Sequence, residues 1–316
     1  METAVICKIC EKPFKGRGGL HKHLRGHELD QRSYYKQYEP RFSRLTKKPL
    51  AFRNSKQYLS DEFASQEERD IWLSIADKES VREYLLRTLK CRIEEKKLKF
   101  APCYAELQAN KLPDIQFYID NFGSYSEVCS TLGVECIFNK RAPESIHEIP
   151  DDLEIIYDTR ETKPWKLKQN MREMKLDFGD YSLYGEHYNY CFIERKAEGD
   201  FVSTMNEMER FKRELERARQ FGAFIYILVE SNIEKIKYNA IFKKFYRNVS
   251  LSFHNMRIIQ HDYHDVCQFV FGGTRTECQK LAPMILYHGN ELKNTDITYY
   301  LEKKWLGLLE TSNKPL

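Results

Sequence analysis

The 316-residue sequence lacks two features that would place a protein in a membrane or outside the cell. It contains no apolar run of about 18 residues, the length that a bilayer-spanning helix needs, and its N-terminus lacks the pattern of a signal peptide. Nine cysteines therefore occur without a secretion signal. We expect a soluble intracellular protein without a membrane partner, in the cytoplasm or nucleoid of a host cell or in a eukaryotic nucleus, whose ordered cysteine clusters bind metal.

The sequence also lacks a large excess of one charge, because it contains 51 Lys and Arg residues and 47 Asp and Glu residues. This near balance hides an uneven distribution. Residues 1–56 carry 14 Lys and Arg against 5 Asp and Glu, which leaves 37 against 42 in the remainder. We therefore expect the N-terminal segment to bind a DNA phosphate backbone.

The same segment contains metal-binding residue types at the spacing of a two-Cys, two-His zinc finger. The predicted Zn²⁺ ligands are Cys7, Cys10, His23 and His27. Phe14 and Leu20 supply the apolar filler that the small core of such a finger requires. Because so short a segment cannot bury a sufficient core, Zn²⁺ binding would supply most of its folding free energy.

Resemblance to zinc-finger modules implies DNA contact through the helix that precedes the first histidine. The predicted DNA-contacting residues are Lys15, Arg17, Lys22 and Arg25. A single finger specifies few base pairs. The alternative interpretation is a finger that mediates protein contact or caps the domain.

Residues 31–141 form the predicted basic and helical DNA-binding region. Its tyrosines, interleaved with Lys and Arg, are candidates either for nucleic-acid contact or for packing on the finger. Capping patterns predict helix starts at Ser65 and Ser80, and Ser126 is expected to cap the helix that follows Gly123. Residues 113–133 resemble the helical repeats of phage and intron homing endonucleases, in which a Phe-Gly-Ser turn joins two DNA-contacting helices. A plain helical spacer is the alternative.

Acidic residues follow short strand-like runs between residues 153 and 200. Asp158 ends the run at 153–157, and Glu194 ends the run at 190–193. Carboxylates at strand ends can converge, so Asp180 and Glu194 could hold Mg²⁺ or Mn²⁺ against a phosphate. Lys196 shares a strand face with Glu194, where its ammonium can orient or help deprotonate an attacking water.

Three segments, in order over 43 residues, resemble the nuclease domain of the XPF family of DNA endonucleases: D-T-R-E at 158–161, G-D-Y at 179–181 and I-E-R-K-A-E-G-D at 193–200. The resemblance implies a restriction-endonuclease-like fold with the catalytic set Asp158, Glu161, Asp180, Glu194, Arg195, Lys196 and Asp200. Asp158 and Glu161 are expected to position metal or water. Arg195 would hold the strand-to-helix geometry or a phosphate, and Asp200 would cap the next helix. The alternatives are a solvated charged face and a nuclease fold that no longer cuts.

The downstream pattern completes an α/β nuclease domain. Apolar spacing predicts one amphipathic helix over 201–218, a buried strand at 224–229 and a further strand at 256–259. The predicted organisation is a ββα zinc finger at 1–30, the helical region at 31–141, a linker at 142–152, and at 153–316 a restriction-endonuclease-like mixed sheet flanked by helices.

Residues 275–316 show no G-x-G signature of the helix–hairpin–helix units that commonly follow the nuclease in the XPF family. The family's dimer and its preference for branched DNA are therefore unsupported here, although a homodimer stays open. With its targeting modules at the N-terminus, the predicted function is that of a metal-dependent, site-specific homing-type endonuclease of a phage or mobile element, acting on duplex DNA. The alternatives are a structure-selective flap or junction nuclease and a non-catalytic DNA-binding regulator.

Overall fold

The computed structural model describes residues 4–242 and 248–305. The chain divides into two compact units, Met1–Val81 and Arg82–Leu316. Most of the predicted helical region therefore belongs to the same unit as the nuclease sheet. The division into four domains stays a prediction. No helix within the described ranges is long and apolar enough to cross a membrane.

The first unit is a small module built on the cysteine and histidine segment. Strands β1 (Val5–Ile6) and β2 (Pro13–Phe14) pair antiparallel, and helix α1 (Arg17–His23) and a 3₁₀ turn (Leu24–His27) follow. Helices α2 (Gln31–Tyr38), α3 (Ser55–Ser60) and α4 (Gln66–Ile75) complete it. One apolar core joins the finger to α2 and α3, and its buried residues are Cys7, Leu20, Leu24, Tyr34, Tyr35, Leu50 and Tyr58. The buried tyrosines of α2 thus pack on the finger, one of the two roles open to them from the sequence.

One long helix and three short ones precede the main sheet in the chain. They are α5 (Lys78–Lys96), α6 (Tyr104–Ala109), α7 (Ile115–Phe122) and α8 (Tyr125–Thr131), with strands β3 (Phe100–Ala101) and β4 (Glu135–Cys136) paired parallel. Two predicted caps are wrong. Ser124, and not Ser126, caps α8 by accepting from the N–H of Glu127. Helix α5 starts before Ser80, whose N–H donates to the side chain of Asp77.

Six strands form the main sheet in the order β10-β9-β8-β7-β5-β6. Their bounds are β5 (Glu154–Tyr157), β6 (Asn170–Glu173), β7 (Tyr181–Leu183), β8 (Cys191–Lys196), β9 (Phe224–Val229) and β10 (Cys267–Phe271). Strand β7 is antiparallel to both neighbours, and the other neighbouring pairs are parallel. The predicted mixed sheet is confirmed.

Helices cover both faces of this sheet. They are α9 (Glu198–Asn206), α10 (Met208–Gln220), α11 (Ile233–Phe242), α12 (Val249–Asp262), α13 (Arg275–Tyr287), α14 (Gly289–Leu292) and α15 (Ile297–Tyr300), followed by a π turn (Leu301–Trp305). Successive residues of β8 enter different cores, because side chains alternate along a strand. Phe192 packs with residues of α9, α10 and α12, whereas Ile193 packs with residues of α13.

Two predictions about these elements are wrong. Residues 256–259 lie in α12, where Val249, Phe253, Met256 and Ile259 are buried at helical spacing, and the further strand is β10. The short apolar run at 256–259 could not by itself distinguish a strand from a buried helical segment. The helix predicted over 201–218 is two helices, because Glu207 (φ −102°, ψ 39°) leaves the helical conformation between α9 and α10.

Candidate active site

A glycine brings Asp180 against strand β8. Gly179 has a φ of +61°, and a Cβ atom there would lie 2.8 Å from the carbonyl oxygen of Ile193. Glycine tolerates both the conformation and the close approach. The N–H of Asp180 donates to that same oxygen at 2.7 Å, and Asp180 Oδ2 accepts from the N–H of Arg195 at 2.7 Å. The G-D pair of the motif therefore aims one carboxylate at the end of β8.

Glu194 and Lys196 share the face of β8 that packs toward α9 and α10, and they form an ion pair between Oε1 and Nζ. A cavity of about 310 Å³ opens over this face. We call it the active cleft; its charged lining residues are Glu194, Lys196, Asp200, Glu207, Arg210 and Glu214. Acids and cations at the wall of one cavity are what a phosphate and its metal ion require.

The Asp180 carboxyl is strongly perturbed. Burial, and next the charge of Glu194, raise the pKa of Asp180 to about 7, while the hydrogen bond from the Arg195 N–H and the ammonium of Lys196 act in the opposite direction. Two carboxylates that repel each other suit a divalent cation, which would relieve that repulsion. Asp180 and Glu194 therefore fit the metal-binding role that the sequence predicts for them.

This electrostatic arrangement predicts a pH dependence of stability. A carboxyl whose pKa is raised on folding contributes fully to stability at a pH below its pKa in the unfolded chain. That contribution to stability is lost as the pH rises through its pKa in the folded protein. Without added magnesium, we expect the contribution of Asp180 to the free energy of unfolding to fall by on the order of 3 kcal/mol between about pH 4 and pH 7. Urea unfolding at several pH values measures this. Asp180→Asn should flatten the profile, and an equally steep profile in that variant would contradict the assignment.

Arg195 lies between the two cleft residues of β8 and faces the other side of the sheet. Its Nε is 3.0 Å from Glu161 Oε2, and its Nη1 is 3.3 Å from Glu230 Oε2. Glu230 also accepts from Trp165 Nε1 at 2.8 Å and from Arg275 Nη1 at 3.1 Å. The arrangement favours the structural role for Arg195 over phosphate contact. Glu161 is thereby paired with Arg195. Its role in positioning metal or water stays a prediction. Sequence reasoning missed Glu230.

Breaking this buried network should reduce the stability of the protein more than it reduces the rate of cleavage. Arg195→Ala leaves Glu161 without its guanidinium, and we expect the free energy of unfolding to fall by about 3 kcal/mol. Arg195→Lys keeps the charge but not the forked donor geometry, so it should recover only part of the loss. Urea denaturation of the three proteins measures the difference. An unchanged midpoint for Arg195→Ala would show that the contacts contribute little.

Asp158 is buried, and both of its carboxylate oxygens accept hydrogen bonds. Oδ1 accepts from the N–H of Arg160 at 2.8 Å and from its guanidinium, and Oδ2 accepts from the N–H of Leu176 at 2.7 Å. Burial acts to raise the pKa of Asp158, but these donors hold it below its ordinary value. The Asp158 N–H also donates to the carbonyl oxygen of Asp180 at 2.9 Å. Asp158 is thus an ionised residue tied to the backbone of Asp180, and its role toward metal or water stays a prediction.

Two further acids belong to the active cleft. Asp200 lines the cleft. The prediction that it caps α9 is wrong, because Ala197 occupies the N-cap position and Asp200 lies within the first turn. Glu214 of α10 lines the same cleft, although its charged neighbours favour a solvated ion-pair face in the sequence. Burial, and next the charge of Glu194, raise the pKa of Glu214. The signal that could have identified it is its position three residues after buried Phe211.

The four predicted zinc ligands converge in the first unit, with all their ligand atoms within 4.8 Å of one another. The Nε2 atom of His23 is 3.1 Å from Cys10 Sγ and 3.0 Å from His27 Nε2, which lies 3.7 Å from Cys7 Sγ. Separations of this size fit four ligands around one Zn²⁺ ion. Burial acts to raise the pKa of the Cys7 thiol, but the N–H groups of Ile9 and Cys10 hold it below its usual range.

The predicted DNA-contacting cations of the finger differ in their surroundings. Lys15, Lys22 and Arg25 are exposed. Arg17 instead donates from Nη1 to the Tyr35 hydroxyl at 3.0 Å and lies 3.3 Å from Glu39 Oε2. Arg17 therefore braces the finger against α2 through Nη1, and its contact with DNA stays a prediction.

Comparison with known protein families finds a match within the second unit. Residues 157–276 match the family model described as the ERCC4 domain. No curated protein sequence matches the chain. Two similar solved structures are XPF from Aeropyrum pernix in complex with DNA (TM-score 0.33, 18% identity, 44% of this chain and 65% of that one) and XPF from Aeropyrum pernix (TM-score 0.32, 16% identity, 50% and 69%). This chain thus covers 65% of the length of the first of these.

The matched residues include the whole predicted catalytic set, from Asp158 to Asp200. They also contain strands β7 to β10 and the helices that form the active cleft. Residues 157–276 of this chain are thus identified as an XPF-like ERCC4 domain.

Proposed function

We propose that this protein is a divalent-metal-dependent DNA endonuclease that recognises the structure of its DNA target. The observation that carries the catalytic part is the active cleft, in which Glu194 and Lys196 face Arg210 and Glu214 while Asp180 lies against the end of the same strand. A non-catalytic regulator would have no need to bury such a set of charges. The cost of burying carboxylates and an ammonium together is otherwise hard to offset.

Asp180 and Glu194 are the proposed ligands of Mg²⁺ or Mn²⁺. When bound, the ion would supply Lewis-acid activation of the scissile phosphate and of water. The remaining work falls to the chain itself. Arg210, on the cleft wall, is placed to contact a phosphate oxygen, and Asp200 is placed to accept a hydrogen bond from water.

Lys196 is the proposed residue for the attacking water. Burial acts to lower its pKa, but Glu194 and then Asp180 raise the pKa of Lys196 above its ordinary value. An ammonium this firmly protonated orients water and offsets the charge that develops on the phosphate, which favours these roles over deprotonation of the water by Lys196. Asp158 and Glu161 act in this proposal as positioning residues, through the backbone of Asp180 and the side chain of Arg195.

The finger bears on the choice between a sequence-specific and a structure-selective target. Fingers of this type contact bases from positions −1, 3 and 6 of the helix. Helix α1 begins at Arg17, so these positions are Gly16, Gly19 and Lys22. Glycine presents no side chain to a base edge, which leaves one base-reading side chain. This supports phosphate contact by the finger and favours the structure-selective alternative over the homing-type function predicted from the sequence.

The deciding experiment compares cleavage, in Mg²⁺, of a synthetic 3′-flap duplex with cleavage of a library of linear duplexes. We expect cutting near the flap junction and no preferred position in the library. Cleavage of a few library members at one position would establish the homing-type function instead. Binding without cleavage of either substrate, in Mg²⁺ and in Mn²⁺, would favour the regulator.

One active cleft cuts one strand at each encounter. A double-strand break would therefore require either two sequential nicks or two copies of the chain. Nicking of a supercoiled plasmid as a function of protein concentration separates these cases, because a homodimer gives a steeper than linear dependence.

A further inference from the structure

Four exposed aromatic rings surround a groove on the nuclease unit. They are Tyr184, Tyr188, Tyr190 and Phe221, which are 39%, 40%, 57% and 66% exposed. We call this cavity of about 540 Å³ the aromatic groove; buried Phe178 and Phe192 also line it. Single exposed apolar residues are ordinary, but several rings around one cavity mark an interaction site.

The backbone at Tyr190 holds one of these rings outward at a cost. Tyr190 has a φ of +60°, a conformation that bulky side chains rarely adopt. Its carbonyl oxygen accepts from the N–H of Phe224 at 2.9 Å, so the pairing of β8 with β9 maintains the conformation. Its ring packs beside that of Tyr188, with 4.8 Å between centroids. Backbone strain of this kind is concentrated at functional sites.

The aromatic groove and the active cleft are both lined by residues of strand β8. Phe192 lines the groove, and Glu194 and Lys196 follow at alternate positions on the same face of β8. Asp180 is only two residues beyond Phe178. From Cys191 to Glu194 strand β8 rises about 10 Å, a length that a few nucleotides of extended DNA would span.

Cations accompany the rings. The guanidinium of Arg217 lies 4.9 Å from the ring centre of Phe178, and that of Arg172 lies 4.5 Å from the ring centre of Tyr184. Exposed Lys175 lines the groove together with one acid, Asp177, and Arg172 also pairs with Glu154 at 2.8 Å. Exposed rings among cations are the chemistry that binds single-stranded nucleic acid, because bases stack on the rings while the cations neutralise phosphates.

We propose that the aromatic groove binds unpaired nucleotides of the DNA substrate, stacked on Tyr188 and Tyr190, next to the strand that enters the active cleft. The inference rests on the proposed nuclease function and specifies its substrate as DNA with a single-stranded segment beside the scissile bond. A fully paired duplex keeps its bases stacked on each other and cannot use these rings.

The test is binding of fluorescein-labelled oligothymidine, followed by anisotropy, in a buffer without magnesium or manganese. Tyr190→Gly removes the ring and also relieves the positive φ, so the variant should fold at least as well as the parent protein. We expect its affinity for oligothymidine to be about tenfold weaker. Tyr190→Phe keeps the ring and should bind like the parent. Tyr238→Ala, which removes an exposed ring on α11, is the matched control and should also bind like the parent.

Equal affinity of the parent and Tyr190→Gly for oligothymidine would overturn the proposal. So would a dimer in sedimentation that Tyr190→Gly dissociates, because a second copy of the chain would then occupy the groove. Since binding is measured without cleavage, a weaker affinity in Tyr190→Gly upholds the groove even if no substrate is cut. Cleavage of flaps with unchanged oligothymidine binding in that variant would instead retain the nuclease function and remove only the groove.

Discussion

Lys196→Ala is expected to reduce the rate of DNA cleavage about a thousandfold. Lys196 pairs with Glu194 at the wall of the active cleft, where its ammonium can both orient water and offset charge on the phosphate. Alanine can do neither. The measurement is the single-turnover rate of flap cleavage in saturating Mg²⁺, because it isolates the chemical step from product release. Asp180→Ala should give a loss of similar size by removing a proposed metal ligand.

Binding should survive both substitutions, because DNA affinity comes from cations spread over a larger surface. Lys212→Ala is the matched control: Lys212 lies on α10 and pairs with Glu209 within the helix. This variant should cut at the parent rate. Parent-level cleavage by Lys196→Ala and Asp180→Ala would rule out the mechanism, whereas loss of binding in either would point to a misfolded protein.

Removing zinc is expected to unfold the first unit around the finger. The core there is small, and structural Zn²⁺ contributes about 10 kcal/mol or more to the folding of such modules. Cys10→Ser is the sharper form of the experiment, because Cys10 is exposed and its loss leaves no apolar cavity. We expect rapid proteolysis within residues 4–60 in this variant, while the second unit stays resistant.

Cys91→Ser is the matched control, since Cys91 is also an exposed cysteine but belongs to α5. It should retain the parent digestion pattern and one zinc ion by mass spectrometry under native conditions. Retention of zinc and of protease resistance by Cys10→Ser would show that Cys10 is not a ligand.

Local geometry explains which parts of this protein could be predicted. The spacing of Cys7, Cys10, His23 and His27 identified a group that converges in the structure, because a hairpin and one helical turn place such residues without help from distant chain segments. The E-R-K triplet likewise put Glu194 and Lys196 on one face, since side chains alternate along a strand.

Interactions between distant segments explain what could not be predicted. The partners of Arg195 lie 34 and 35 residues away, at Glu161 and Glu230, and no periodicity links them. Glu214 reaches the active cleft because α10 packs on α9 and β9, although its sequence neighbours resemble those of a solvated helix.

The sequence by itself determined which residue types this chain carries: four candidate zinc ligands, a set of carboxylates and a lysine at a strand end. Tertiary structure alone decided how these residues are divided between tasks. Glu161 lies against an arginine and Glu214 lines the cleft, because burial and charge pairing depend on which segments pack together. The same packing leaves Tyr190 exposed at the start of β8, a placement that no local pattern specifies.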